Sequence, residues 1–251
     1  MKKLISLLLV LLVCSAAALA EPVTLTDPLA GEAYWPEDAD AATAMYVYRY
    51  HYPQVAGEGE VALMINEHYA YLLSDALGFA LPMAEGLIEN PDVQAYTHIT
   101  SEITCHSDDY LCVKITTENF MGAAISNVVS AHTFALTGGK AGCVVNLPYL
   151  LGLLDADETD EWLLTRQTDK ADSCVRGLIW EIIRQQQAEG AVAYYEGVTY
   201  EMLEGCFYPE EDFYLDAEGN LVFFIQESLM APSTEGVLYF PFTLEELLDE
   251  I

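Results

Sequence analysis

The chain has 251 residues, 53% of them hydrophobic and 11% aromatic, with 40 Asp and Glu against 9 Lys and Arg, a formal net charge of −31. So much apolar side chain excludes disorder and supplies a packed core. The acid excess excludes nucleic acid as a partner, because binding phosphate backbones depends on basic groups displacing counterions, and it favours cations or basic proteins.

Residues 1–20 open with Lys2-Lys3, continue with the apolar run Leu4 to Val13 and close on Ala18-Leu19-Ala20. This is the layout of a secretory signal peptide cleaved before Glu21. An uncleaved anchor is the alternative, although the run is shorter than the ~20 residues of a spanning helix; a lipid-modified Cys14 is a third. Cleavage leaves 7 basic residues against 40 acidic ones, a net charge of −33. No later run reaches spanning length, so the expected product works outside the cytoplasm without a membrane span.

Residues 21–42 read as an acidic, Pro-containing linker. A first lobe, 43–118, begins with Thr43 to Tyr52, whose tyrosines at 46, 48, 50 and 52 alternate with Met45, Val47 and Arg49 as in a strand with an aromatic core face. Apolar positions at 61, 65, 69, 72, 73 and 76 predict a helix over 60–77, stopped at Gly78. His68 falls near its apolar edge as a packed histidine. Tyr96 to Thr104 and Tyr110 to Thr117 predict a hairpin about His106 to Asp109.

Cys105 and Cys112 flank that turn as disulfide candidates. Strict alternation places Ile99 and Ile103 on the face of Cys105, but Leu111, Val113 and Ile115 opposite Cys112, so the sulfurs meet only if a bulge shifts the register. Five cysteines follow the signal segment, which leaves at least one outside any internal pairing. None lies in a CxxC pattern, so no structural zinc site is expected.

The second lobe, 119–251, starts with a strand near residue 130. The acid run Asp155 to Glu161 invites a calcium test, but an EF-hand loop fails where Asp160 stands for Gly and Arg166 for the bidentate Glu. The run instead suits the N-terminus of a helix starting near Trp162. A longer amphipathic helix over 171–189 carries Val175, Leu178, Ile179, Ile182 and Ile183 on one stripe and ends at Gly190. Asp212 to Leu215 and Leu221 to Ile225 form a hairpin about Gly219. Val237 to Phe242 is a third strand, and Thr243 caps a terminal helix. The expected fold is α+β, antiparallel sheets with two main packed helices in two lobes.

The order of Phe213-Tyr214-Leu215, Leu221 to Phe224, Ala231-Pro232 and Leu244 to Leu248 resembles the C-terminal signature of an extracytoplasmic family of unknown function. That family is known from the ectodomain of the lysozyme-sensing anti-sigma-V factor and from the non-catalytic N-terminal part of a peptidoglycan deacetylase. Tyr52-Pro53 followed by a helix containing Ile65-Asn66 is similar to its N-terminal half. Ala124 stands where the family carries His. The resemblance implies a non-catalytic binding or sensor module of the bacterial envelope, directed at a cationic protein such as lysozyme or at a cell-wall glycan. It points to Glu227, Ser228, Ala231 and Pro232 as partner-binding residues.

No catalytic residues stand out: the chain has no GxSxG, phosphate loop, HExxH or GxGxxG in context. No cofactor or metal is expected. A cell-wall hydrolase using a carboxylate pair is the alternative, unsupported by any particular pair among so many acids.

Overall fold

The computed structural model describes residues 23–90 and 92–251; the expected signal segment and Cys14 lie outside the described residues. The chain folds as α+β, with a five-stranded and a three-stranded sheet. The first sheet has the order β1 (Thr24–Trp35), β2 (Tyr46–Ala56), β3 (Ala95–His106), β4 (Tyr110–Phe120), β5 (Ile125–Ala135). All neighbours are antiparallel except β2 and β3, which run parallel. Parallel strands need a long crossover, and helix α1 (Glu60–Leu87) supplies it.

Three features of this sheet differ from the sequence expectation. The acidic linker is in large part β1, paired to β2 and tied by an Arg49–Glu32 ion pair of 2.7 Å. As an edge strand with most of its first half exposed it needs little apolar sequence, and its register shift between Thr26 and Leu29 accommodates Pro28. Helix α1 runs ten residues past its expected end, through Gly78 and Pro82. Burial of Ala84 at 0% exposure holds the distal turns despite the hydrogen bond lost at Pro82. Finally β5, assigned from sequence to the second lobe, pairs with β4 along its whole length.

Helix α2 (Leu147–Leu150) is a single turn. The two helical segments expected after Asp160 are one continuous helix, α3 (Glu161–Glu189), capped by Asp160, whose carboxylate accepts from Trp162 N at 3.0 Å and Leu163 N at 3.2 Å. It ends on Gly190 at φ 67°, as its C-terminal glycine predicts. After α4 (Tyr200–Glu204) come β6 (Phe213–Leu215), β7 (Leu221–Ile225) and β8 (Leu238–Phe242), an antiparallel meander, then α5 (Leu244–Glu250). Thr243 and Glu246 close a reciprocal capping box at the start of α5.

Two cores result. Under α1, Tyr46, Tyr48, Tyr52, Ile65 and Tyr69 pack on Leu111, Val113 and Ile115 of β4. Under α3, Val175, Ile179 and Ile183 pack on Phe207, Phe213, Phe223 and Phe240, each buried aromatic contributing about 1.5–3 kcal/mol. Strand β4 serves both, because its neighbouring residues point to opposite faces: Cys112, between Leu111 and Val113, belongs to the second core.

Candidate functional site

The two sheets are joined where the chain leaving β7 lies along β5. The Gln226 side chain accepts from Val129 N at 2.9 Å and donates to Val129 O at 2.7 Å, imitating a neighbouring strand. Glu227 accepts from Asn127 N at 2.7 Å. An amide does the same for the first core: Asn66 of α1 accepts from Val55 N and donates to Val55 O, both at 2.9 Å.

On the same β5 face opens a cleft of ≈ 510 Å³. One wall is β5 from Val129 to Thr133, another the segment carrying Lys140, Asn146 and Tyr149, and the third the turn Glu210-Glu211-Asp212. The three acids are consecutive residues of one segment, and Lys140 is the one Lys or Arg among the lining residues.

Burial pushes Asp212 up to about 6, with Glu211 and Glu210 adding repulsion against the opposing hydrogen bond from Tyr208 N at 2.8 Å. Behind the cleft, Asp172 of α3 is only 4% exposed. Its carboxyl is raised chiefly by burial, then by a hydrogen bond to Glu210, while Arg176 opposes the shift. Asp172 Oδ1 and Glu210 Oε2 are buried and meet no other donor. Arg176 stands 3.3 Å from the other Asp172 oxygen and donates to Phe207 O at 3.1 Å, fastening the acidic segment to α3. His132 also lines the cleft; burial, then His68 at a ring separation of 4.6 Å, lowers it to about 4 and keeps it neutral.

The partner-binding residues expected from sequence fall beside this cleft, outside its lining. Glu227 is taken up by Asn127 and Ala231 is 2% exposed, whereas Ser228 is exposed, at φ 65°, and Pro232 half-buried. Cys105 and Cys112 stand opposite each other in the register with free thiols. His68 packs edge-on against Tyr69 and Phe134, with no hydrogen-bond partner on Nε2.

Sequence reading passed over Asp172 and the acids 210–212. Asp172 carried a signal, since it follows Ala171 on the buried stripe of α3 where a lone carboxylate requires a partner. The acids of the cleft carried none, being three among 40.

No known family profile and no curated protein matches the sequence. A DUF3298 family protein of Pseudomonas aeruginosa PAO1 superposes over 93% of this chain and 96% of its own, with TM-score 0.51 and 11% identity. A DUF3298 family member from Bacteroides fragilis NCTC 9343 covers 91% of this chain and 93% of its own, with TM-score 0.49 and 14% identity. At such identity the Pseudomonas likeness shows a shared fold, that of an uncharacterised domain. Among the described residues no helix is long and apolar enough to cross a membrane.

Proposed function

We propose that the chain is a non-catalytic binding module of the bacterial cell envelope, acting outside the cytoplasm, with a cell-wall glycan as ligand of the cleft beside β5. The observation that carries this reading is the cleft itself. Its ≈ 510 Å³ are walled by carboxylates, Asn146, Lys140 and the Tyr149 ring, and a sugar demands such a mixture: acceptors and donors for hydroxyl and amide groups, and an aromatic body beside them. The signal-like residues 1–20 supply the route out of the cytoplasm. Hydrolysis of a glycosidic bond calls for two carboxyls flanking it. Here every acid of the cleft comes from one short segment and the facing segment brings Lys140, which favours binding over cleavage.

A cationic protein such as lysozyme is the second reading, favoured by 40 acidic against 9 basic residues and by the exposed Ser228 and Leu229 beside the half-buried Pro232. Calorimetric titration of the chain without residues 1–20 with soluble peptidoglycan fragments tests the first reading: Tyr149→Ala and Glu211→Gln each weaken binding at least tenfold. Undiminished binding by both variants removes the cleft from the account. A parallel salt titration with a basic lysozyme and an unrelated basic protein tests the second. Lysozyme retained near 0.15 M salt while the control dissociates supports it; equal loss of both reduces the charge to a screened field.

A further inference from the structure

The hairpin of β3 and β4 contains one residue too many. Ile103 pairs with Val113 and Cys105 with Cys112, leaving Thr104 unopposed as a bulge. The extra residue reverses the facing of everything beyond it. Cys105 therefore joins Cys112 in the core under α3, although strict alternation separates them. Residues directly opposite on antiparallel strands have Cα atoms about 4.5–5.5 Å apart, within the span a disulfide bridges.

The two thiols differ in access. Cys112 is 0% exposed and held from behind: Thr133 Oγ1 donates to its sulfur at 3.1 Å and Leu215 N at 3.3 Å. Cys105 lines a separate recess of ≈ 270 Å³ with Ser107, Ala217 and Glu218, whose surfaces face solvent.

We propose that Cys105 and Cys112 are a redox-active cross-strand dithiol, oxidised by exchange with a low-molecular-weight disulfide that enters at Cys105. The Cys105 thiolate attacks one sulfur of the small disulfide, releasing one thiol and leaving a mixed disulfide. The Cys112 thiolate then attacks Cys105 Sγ and expels the second thiol. Two protein thiols lose two electrons and two protons, and one small disulfide becomes two thiols. Burial raises both protein thiols, Cys105 further through the neighbouring Cys112, while hydrogen bonds such as those from Thr133 and Leu215 N oppose the shift at Cys112, so exchange is slow at neutral pH and accelerates with alkalinity. The bond ties the hairpin end to the seam at which Leu215 of β6 meets Cys112, and this step is independent of the glycan reading.

The test is oxidation of the reduced chain, without residues 1–20, by glutathione disulfide, followed by denaturation, alkylation and peptide mass mapping. The expected product has Cys105 and Cys112 joined and neither alkylated, a melting temperature higher by roughly 5–10 °C, and full reversal by dithiothreitol. Cys112→Ser retains glutathione on Cys105; Cys105→Ser leaves Cys112 unmodified while the protein is folded. The pair is overturned if both thiols remain alkylatable after oxidation, or if either joins Cys143, Cys174 or Cys206. Adduct formation on Cys112 in the Cys105→Ser protein overturns the order of entry. Mapping of the wild-type chain decides the pairing even if a serine variant does not fold.

Discussion

Beneath α1 the core is made of hydroxyls and rings: Tyr46, Tyr48, Tyr52 and Tyr69, flanked by His68 and His132. Tyr69 OH, His68 Nε2 and His132 Nδ1 lack hydrogen-bond partners there, and a groove of ≈ 430 Å³ lined by Tyr46, Tyr48, Tyr52 and His132 opens past Phe79 and Leu87. Beneath α3 the core is Phe207, Phe213, Phe223 and Phe240 with branched aliphatics, and its ionisable pair, Asp172 and Glu210, is tucked against Arg176. The first opens to solvent at this groove and the second at the recess beside Cys105. The contrast lies in what is left unpaired: the Tyr69 hydroxyl and ring nitrogens of His68 and His132 in the first, carboxyl oxygens of Asp172 and Glu210 in the second. Buried polar atoms without partners each forgo stability.

Four measurements test this contrast. The largest effect is expected in the core under α3: Phe223, 0% exposed and edge-on to Phe207, should cost about 3–5 kcal/mol on replacement by Ala, read by denaturant unfolding. A cost under ~1 kcal/mol would mean the second core is as loose as the first. Acid comes next. His132, at about 4 in the fold against an unfolded value near 6.5, binds fewer protons folded than unfolded between these values. Its contribution is complete above about pH 6.5 and is lost as pH falls toward 4, on the order of 1–3 kcal/mol, and His132→Phe should flatten the melting profile over that window.

At the seam, Gln226→Ala removes two hydrogen bonds to Val129 and should cost about 1–2 kcal/mol, with faster amide exchange at Val129 as its local signature. Smallest of all, Tyr69→Phe deletes a buried hydroxyl that has no partner and should change stability by less than ~1 kcal/mol, in the stabilising direction. A clear loss would reveal that a buried water partners the hydroxyl.

Local chemistry made much of the fold legible. Gly219 at φ 83° turns the β6–β7 hairpin, Gly190 ends α3, and Thr243 begins α5, each from its own residue type. The misreadings have a common cause in neighbours that sequence does not display. Strand β1 looked like linker because it borrows its order from β2, and the last turns of α1 survive Pro82 because Ala84 finds a core. The cleft was invisible for a stronger reason. Its walls come from residues near 130, 145 and 211, and only the docking of two sheets brings them together.

The Gln226 and Glu227 side chains have a consequence for the molecule among its copies. An outermost strand presents a row of open backbone groups that recruits any extended chain, including an identical one. On β5 the N–H groups of Asn127 and Val129 and the carbonyl of Val129 are already engaged from within. The far side of the sheet, β1, interrupts its ladder at Pro28. One border is thus partly occupied by side chains and the other interrupted near an imino acid, features that oppose edge-to-edge pairing of the sheet with a second copy.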